Sequence, residues 1–543
     1  MHTCLIIDFG SQVTKLIARR VRELSVYSII VPPSKAMESI TANTKCVILS
    51  GSPYSTLEEN SPTIDPKIFE LGIPVLGICY GQQLMAKILG GKVENHGTRE
   101  FGKSELNVIE ENLLLSHLVT CKENVSKREG EEQTELESSR APQSSNLEDF
   151  QSNNFQSNGK IIVWMSHGDC VTQLPQGFKV LAKTQNAPCA VIANEEKMLY
   201  GVQFHPEVTH TESGREILKH FVVEIAKCEQ KWTMSAYKNE TIAKIKAQIG
   251  NEMTICALSG GVDSAVAARL VYEAIGENLV CVLVDTGLLR KGEVEQIKAT
   301  FPDINIIDAQ EQFLRELAGV SDPEQKRKTI GRLFIEHFQE FSKKYSNAKF
   351  LVQGTIYPDV IESAASDGLA QTIKSHHNVG GLPKDMKMQL CEPLRELFKD
   401  EVRLLGEELG MEKKVIYRHP FPGPGLGIRI LGEITQEKVE ILQNADKIYI
   451  DFLHEKGLYD KIWQAFSVIL PCKTVGVMGD GRTYEFVLAI RAITSEDGMT
   501  AQVYPFEMAD LLEISTRIVN NVKGVNRVTY DITSKPPATI EWE

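Results

Sequence analysis

Residues 74–89, PVLGICYGQQLMAKIL, decide the fold of the N-terminal part of the chain. An apolar, strand-like run at 74–76 precedes a helical run at 82–89, and a tight turn that holds Cys79 between two glycines joins them. This arrangement is a nucleophile elbow, which needs small residues beside the nucleophile because its turn is strained. The sulfur lies at a helix N-terminus, where the helix dipole favours the thiolate. The stretch therefore predicts an α/β domain with a cysteine nucleophile.

A base for this thiol follows in the stretch GVQFHPE at 201–207. An apolar run leads to His205, and Glu207 comes two residues later, where it can orient the imidazole. Taken singly, a buried small cysteine and a histidine at the end of a strand are the ordinary explanations of these residues. Taken together, Cys79, His205 and Glu207 predict a catalytic triad.

Four stretches resemble the class I glutamine amidotransferases: VILSGSPYS at 47–55, IPVLGICYGQQLMA at 73–86, WMSHGD at 164–169 and YGVQFHPEV at 200–208. The resemblance implies that Cys79 attacks the side-chain amide of glutamine, and that an acyl thioester forms and is hydrolysed. It also implies that His205 protonates the departing ammonia and that Glu207 holds the histidine tautomer.

The same resemblance implies a site for glutamine and its oxyanion at Gly51, Ser52, Tyr80 and Gln83. Backbone amides near Ser52 and Tyr80 would hold the oxyanion, and Gln83 would lie close to the bound glutamine. The family usually has two glycines where this chain has Gly51-Ser52. If this position has a positive φ, the serine is strained, because residues with a Cβ disfavour that region.

A second glycine-rich turn, SGGVDS at 259–264, lies between a strand-like run and a helical run of a βαβ unit. It is neither a Walker loop nor a GxGxxG turn, and an ordinary βα turn is the alternative explanation. Its amides and the following helix N-terminus can converge on phosphate oxygens. The turn resembles the SGGxDS loop of the N-type ATP pyrophosphatases, which implies that ATP is bound by Ser259, Gly260, Gly261, Val262, Asp263 and Ser264.

Two later features bear on the same nucleotide. Asp359 and Glu362 would share one helical face, and such a carboxylate pair can hold Mg²⁺, although exposed carboxylates are usually only solvated. The polar stretch KSHHNVGG at 374–381 predicts a lid over the phosphates. Its adjacent histidines could suggest zinc, but no third metal ligand lies nearby. We therefore favour a lid that contains Lys374, His376 and His377.

The C-terminal third distinguishes among amidating enzymes with this loop, which include NAD synthetase, asparagine synthetase and tRNA-thiolating relatives. RHPFPGPG at 418–425, VGVMGDGRTY at 475–484 and SKPPATIEWE at 534–543 resemble the GMP synthetases. That resemblance implies a ligase that channels ammonia from glutamine to XMP adenylated by ATP, releasing GMP, AMP, pyrophosphate and glutamate. By the same resemblance, the XMP contacts correspond to Arg327, Gln464, Asp480, Lys535 and Glu541. The two cations can bind the phosphate, and the carboxylates and the amide can bind the ribose or the base.

These motifs predict an α/β protein of three domains. We expect a class I amidotransferase α/β domain at 1–228 with a disordered, Glu/Ser/Asn/Gln-rich insertion at 121–158, and a linker at 229–240. A doubly wound ATP pyrophosphatase α/β domain follows at 241–417. A small α+β domain at 418–543 would bind XMP, and its size resembles the bacterial-type dimerisation domain, which implies a homodimer.

Composition limits the remaining function classes. A net charge of −13 disfavours a nucleic-acid partner, and no apolar stretch reaches the roughly 18 residues of a membrane helix. The 11 cysteines show no CxxC pair, which is typical of free thiols in a reducing compartment. We therefore expect a cytoplasmic enzyme whose partners are glutamine, XMP and ATP. A tRNA-modifying enzyme and a non-catalytic nucleotide-binding scaffold remain the alternatives.

Overall fold

The structure, a computed structural model, describes residues 1–95, 99–110, 112–116, 161–365, 388–495, 498 and 500–543. These residues form two compact units, Met1–Thr233 and Met234–Glu543. Several predictions lie outside the described residues: the insertion at 121–158, the side chain of Glu362, and the lid residues Lys374, His376 and His377. No helix in the described ranges is both long enough and apolar enough to cross a membrane.

Eleven strands and three helices make up the described part of the first unit. The strands are β1 (Thr3–Ile7), β2 (Tyr27–Val31), β3 (Thr44–Leu49), β4 (Val75–Ile78), β5 (Lys92–Glu94), β6 (Glu100–Val108), β7 (Ile161–His167), β8 (Cys170–Gln173), β9 (Lys179–Lys183), β10 (Val191–Asn194) and β11 (Leu199–Val202). The helices are α1 (Thr14–Glu23), α2 (Tyr80–Ile88) and α3 (Gly214–Lys219), which continues as a π-helix over His220–Ile225.

The main sheet of this unit has the strand order β2-β1-β3-β4-β11-β10-β9-β6-β7. Strands β2, β1, β3, β4 and β11 pair in parallel, and the remaining pairs are antiparallel. The parallel strands β4 and β11 are buried along their whole length, as strands covered on both faces should be. The predicted strand at 74–76 and helix at 82–89 correspond to β4 and α2. The α/β prediction is confirmed.

The second unit begins with a parallel sheet. Its strands are β12 (Thr254–Leu258), β13 (Leu279–Asp285), β14 (Asn305–Asp308), β15 (Phe350–Val352) and β16 (Gln389–Cys391), in the order β14-β13-β12-β15-β16. The order reverses between β12 and β15, which is the topological switch point of a doubly wound sheet. The helices are α4 (Met234–Ile249), α5 (Val262–Ile275), α6 (Glu293–Thr300), α7 (Gln310–Leu317), α8 (Pro323–Lys343), α9 (Tyr357–Ala365), α10 (Lys399–Glu408) and α11 (Lys413–Ile416).

A second sheet of this unit contains β17 (Gln464–Met478), β18 (Gly481–Thr494), β19 (Gln502–Val503) and β20 (Val525–Tyr530). Strand β18 pairs antiparallel with β17 and β19 and parallel with β20. Helices α12 (Gln436–Glu455) and α13 (Met508–Asn521) complete this part of the chain. Strands mixed with helices agree with the α+β prediction.

The predicted domain boundaries can be placed on these units. Helix α4 begins at Met234, so the second half of the predicted linker at 229–240 is helical. The reason is burial of Met234, Tyr237, Thr241 and other side chains spaced along one helical face. The predicted boundary at 417/418 falls inside the second unit, where one apolar core includes side chains from both sides of it.

A stack of three rings holds the start of the Pro/Gly-rich segment. The ring of Tyr459 stacks on His419 with centroids 3.8 Å apart, and His454 stacks on the same tyrosine at 3.9 Å. Nδ1 of His419 accepts from the amide of Ala465 at 3.1 Å, so the proton is on Nε2, which donates to the carbonyl of Tyr459 at 2.9 Å. Burial lowers the pKa of His419 to about 4, which keeps the ring neutral.

We expect the second unit to lose stability as the pH falls from 7 to 5. The unfolded chain protonates His419 below about pH 6.5, whereas the folded chain does so only near its pKa of about 4. The stability from this neutral ring is therefore present above the unfolded pKa and is lost between these two values, by about 2 kcal/mol at pH 5.

Urea unfolding at both pH values measures this loss. His419→Asn should be less stable than the native protein at pH 7, yet lose less stability between pH 7 and pH 5, because its side chain does not titrate. Equal losses in the two proteins would contradict the assignment of this pH dependence to His419.

Candidate active sites

The turn around Cys79 has the strained geometry of a nucleophile elbow. Cys79 precedes α2 with φ 52° and ψ −106°, a conformation that a residue with a Cβ seldom adopts. A Cβ at Gly77 would lie 2.5 Å from the amide nitrogen of Gln82, and one at Gly81 would lie 2.4 Å from the carbonyl oxygen of Leu49. Only glycine fits at either position, which explains the two glycines that flank the cysteine.

The three predicted triad residues lie together. Strands β4 and β11 are parallel neighbours with Ile78 opposite Val202, so Cys79 and His205 follow adjacent strand ends. Nδ1 of His205 is 2.8 Å from Oε1 of the fully buried Glu207. Burial alone would lower the pKa of His205, but the charges of the carboxylate and the thiolate, with hydrogen bonds to both, raise it well above its ordinary value. The site therefore favours the protonated imidazolium of His205.

We expect Glu207→Gln to move the alkaline limit of glutamine hydrolysis to lower pH. The carboxylate of Glu207 raises the pKa of His205, so the imidazolium that protonates ammonia persists to higher pH in its presence. Without that charge the proton is lost earlier as the pH rises, and the tautomer is no longer held. We expect kcat to fall by about 100-fold or more at alkaline pH.

The measurement is glutaminase kcat from pH 6 to about pH 10. Glu216→Gln, which changes an exposed carboxylate on α3, is the matched control and should keep the native profile. An alkaline limit that stays in place in Glu207→Gln would show that this carboxylate does not set the protonation of His205.

In the predicted oxyanion site, the sterically restricted residue is Gly51, whereas the sequence had pointed to Ser52. Ser52 does not have a positive φ, so the serine is not strained, and its hydroxyl donates to the carbonyl of Phe9 at 2.8 Å. The tight position is Gly51, where a Cβ would lie 3.1 Å from Cε1 of His205. Tyr80 is the first residue of α2, so its amide has no partner within the helix. Both predicted amide donors are therefore compatible with the fold.

The predicted glutamine-site residue Gln83 lies in a buried polar network. Its Nε2 donates to the carbonyl of Asp169 at 2.7 Å and to Oε1 of Gln203 at 3.2 Å. Gln203 in turn contacts the sulfur of Cys79. The prediction from sequence did not include Gln203, although it stands within the GVQFHPE motif, two residues before His205.

The loop 259–264 lies at the switch point of the second unit. It follows β12, and Gly354 follows the neighbouring strand β15, so close that a Cβ there would lie 2.9 Å from the carbonyl carbon of Asp263. The hydroxyls of Ser259 and Ser264 are 3.2 Å apart, and the amide of Gly261 donates to the first of them at 3.3 Å. Ligands of doubly wound sheets bind at this crevice, where the N-terminus of α5 can receive phosphate.

The carboxylates near this loop have partners of their own. Asp263 pairs with Lys399 at 2.6 Å, and Oδ2 of Asp359 accepts from the amide of Ile356 at 3.1 Å. Among the residues that the structure describes, no group of three or more His, Cys, Asp or Glu side chains could hold a metal ion. A Mg²⁺ site at Asp359 and Glu362 stays a prediction.

Two of the predicted XMP contacts lie directly together. Nε2 of Gln464 donates to Oε1 of Glu541 at 2.7 Å. Arg327 donates to the main-chain oxygen of Glu543 at 2.5 Å, so it too contacts the segment 534–543. The structure thereby brings three of the five predicted residues to one region of the second unit.

The other two predicted XMP contacts are placed differently. Lys535 donates from Nζ to the carbonyl of Gly498 at 2.8 Å. Asp480 is exposed in the turn between β17 and β18, and within the described ranges no hydrogen bond or ion pair joins it to the other four residues. Its role as an XMP contact stays a prediction.

Three buried cations hold the segment 534–543, and the prediction from sequence missed all of them. Arg429 binds both carboxylate oxygens of Glu541 at 2.9 and 3.2 Å, Lys326 binds the carboxylate of Glu543 at 2.6 Å, and Arg491 donates to the carbonyl of Ile540 at 2.9 Å. Their side chains are 0% exposed. For the two arginines the sequence does contain a signal, because each lies inside an apolar run, GIRIL at 427–431 and LAIRAI at 488–493. A charged side chain buried in such a run needs a partner.

Comparison with known proteins gives a family for both units. Residues 5–225 match the family "Glutamine amidotransferase class-I", and residues 451–542 match "GMP synthase C terminal domain". A glutamine-hydrolyzing GMP synthase of Bartonella bacilliformis is 54% identical over 547 residues, covering 100% of this chain and 99% of that protein. Those of Brucella melitensis and Rhizobium etli are 54% and 55% identical, covering 100% and 99% of this chain and 98% of each relative.

This similarity extends over the whole chain, so it decides between the alternatives left open by the motifs. A tRNA-modifying enzyme would not share both matched families, and a scaffold without activity does not agree with full-length identity to enzymes. The elbow, the triad geometry and the phosphate loop agree with the same assignment. The chain belongs to the family of glutamine-hydrolysing GMP synthases, which are carbon–nitrogen ligases.

Proposed function

We propose that this enzyme converts XMP to GMP with two separate sites, one in each unit. The first hydrolyses glutamine at Cys79, and the second uses the ammonia beside the loop 259–264. The observation that carries the proposal is the contact of His205 with the buried Glu207 at the strand end next to the strained cysteine. The phosphate loop at a switch point in the same chain supplies the second half of the chemistry.

At the first site the thiolate of Cys79 attacks the side-chain carbon of glutamine. The amides at Ser52 and Tyr80 are the proposed donors to the oxyanion that forms. The imidazolium of His205 gives its proton to the leaving ammonia, and the neutral ring then takes a proton from the water that cleaves the thioester. Glu207 keeps Nδ1 protonated, so Nε2 is the nitrogen that exchanges protons.

At the second site we propose that ATP lies with its phosphates on the loop 259–264. Amides at the start of α5 and the hydroxyls of Ser259 and Ser264 are donors suited to pyrophosphate. The 2-keto oxygen of XMP attacks the α-phosphorus of ATP, and pyrophosphate leaves as the bond between the α- and β-phosphates breaks. Ammonia then attacks the adenylated carbon and displaces AMP to give GMP. We propose that XMP is held by Arg327, Gln464, Asp480, Lys535 and Glu541.

Mg²⁺ is proposed to bind together with ATP. This ion keeps several waters and usually binds through substrate phosphates and one or two carboxylates, so it does not require a cage of protein ligands. Asp359 and Glu362 are the proposed protein ligands. Loss of activity in a chelator and its recovery with Mg²⁺ alone would test this.

A homodimer in the cytoplasm is the proposed working form. The hairpin of β17 and β18 exposes apolar side chains, with Val477 at 77% and Tyr484 at 66%, which is the kind of surface that a second copy covers. Sedimentation at twice the mass of one chain, lowered to one chain by Val477→Asp, would support the dimer. Fractionation of cells would test the location.

The experiment that tests the function is conversion of XMP to GMP with ATP and Mg²⁺, run once with glutamine and once with ammonium as nitrogen donor. Activity with both donors is the expected result. Activity with ammonium alone would remove the proposed glutaminase site, and no activity with either donor would remove the proposed function.

A further inference from the structure

We propose that Gln203 is a catalytic residue of the glutaminase site, whose side-chain amide donates a hydrogen bond to the Cys79 thiolate before it attacks glutamine and again as it leaves the thioester. The inference rests on the proposed glutamine hydrolysis and adds a residue to it. Nε2 of Gln203 lies 3.6 Å from Sγ of Cys79, and the glutamine is 1% exposed. The carbonyl of Ser166, 3.7 Å from the sulfur, can accept from the thiol but gives the thiolate nothing.

The surrounding network determines which end of the Gln203 amide faces the sulfur. The carbonyl of Asp169 can only accept, so the group of Gln83 that contacts it at 2.7 Å must be the NH₂. The same NH₂ is 3.2 Å from the Gln203 amide and therefore requires Oε1 there. The remaining end, Nε2–H, must then point at Cys79.

Backbone and side-chain contacts hold the hydrogen-bonded chain of Asp169, Gln83 and Gln203 in place. The main-chain amide of Gln203 donates to the carbonyl of Ala190 at 2.8 Å, directly after β11. The carboxylate of Asp169 accepts from Ser55 at 2.5 Å and from Asn95 at 2.9 Å. A donor fixed in a buried, polarised chain of hydrogen bonds has more effect on a charge than the same donor in water.

A neutral donor faces the sulfur with the same charge at every step, whereas His205 changes charge. The imidazolium gives its proton to ammonia as the thioester forms, and the ring regains a proton from water as the thioester is cleaved. In that cleavage water attacks the thioester carbon, a C–O bond forms, the C–S bond breaks, and the electron pair returns to sulfur. His205 takes one proton of that water, and the second goes to solvent as glutamate ionises. The Gln203 amide faces the departing thiolate at this step without having changed charge.

The test compares Gln203→Met, which keeps the length of the side chain but has no N–H donor, with two other variants. Gln203→Glu keeps the acceptor for Gln83 and places a carboxylate beside the sulfur. Gln82→Met is the matched control, because Gln82 is equally buried but donates to the carbonyl of Cys189 at 2.7 Å. Alkylation of Cys79 by iodoacetamide is followed by peptide mass spectrometry across pH, together with glutaminase kcat.

Gln203→Met should shift the midpoint of the alkylation curve to higher pH and lower glutaminase kcat about 10- to 100-fold, the effect of a hydrogen bond to a charged group. Gln203→Glu should have the larger effect on both, and it decides the matter if the Met variant does not fold. Gln82→Met should keep the native midpoint. A native midpoint in both Gln203 variants, or equal shifts in Gln82→Met, would overturn the proposal. Failure of the proposed function would look different, because Cys79→Ala would then retain glutamine use.

Discussion

Cys79→Ala is expected to abolish GMP formation from glutamine, lowering it at least about 10³-fold, while formation from ammonium stays within about twofold of the native rate. The sulfur is the only group in the described triad that can form the thioester. The loop 259–264 belongs to the other unit and does not need that sulfur when ammonia is supplied. The measurement is GMP formation from XMP and ATP with each donor in parallel.

Cys189→Ala is the matched control for this variant. Cys189 is another buried cysteine of the first unit, at 7% exposure, and it has no contact with His205 or Glu207 in the described part of the chain. We expect it to keep both activities. Loss of both activities in Cys79→Ala would show that the two sites are not separable, and retention of both would show that Cys79 is not the nucleophile.

Glu541→Ala is expected to raise the KM for XMP about 100-fold with either nitrogen donor. The substitution leaves the guanidinium of Arg429, which is 0% exposed, without its bidentate partner, and an unpaired buried charge costs about 3 kcal/mol or more. It also removes the acceptor of Gln464. Because the segment 534–543 carries two proposed XMP contacts, its release lowers affinity for XMP, and glutamine hydrolysis measured without XMP should be unchanged.

Two further variants separate charge from position in this prediction. Glu541→Gln keeps an acceptor for Gln464 but removes the negative charge, so its KM should fall between those of the native protein and Glu541→Ala. Glu437→Ala removes an exposed carboxylate of the same unit and should have no effect. A native KM in Glu541→Ala would contradict the placement of XMP beside this carboxylate.

The parts of the sites that could be predicted from sequence depend on short spacings. The glycines around Cys79 are two residues away on each side, and His205 and Glu207 are two apart, so the chain itself brings these groups close. The loop 259–264 is likewise one turn between a strand and a helix. Such local arrangements leave the backbone few choices, and the strand, turn and helix around Cys79 were predicted correctly for that reason.

Other features depend on contacts between distant parts of the chain, and no spacing indicates them. The hydroxyl of Ser52 contacts the carbonyl of Phe9, and the orientation of Gln203 follows from Gln83, far away in sequence. The pairing of Arg429 with Glu541 is of the same kind. Helix α4 was missed for a different reason: its buried positions include Thr241 among polar neighbours, which hides the apolar periodicity.

The strand order of the second unit has a consequence for how the enzyme acquires its shape. Strands β12, β13 and β14 follow one another along the chain, so their pairing closes short loops and can occur early. Strand β15 comes only after the long helix α8 and must insert on the other side of β12. Gly354 contacts Asp263 only when β15 pairs with β12. The nucleotide crevice therefore forms at the pairing that closes the longest loop of this sheet. Nucleotide added during refolding should therefore capture nearly finished molecules and leave early intermediates unaffected.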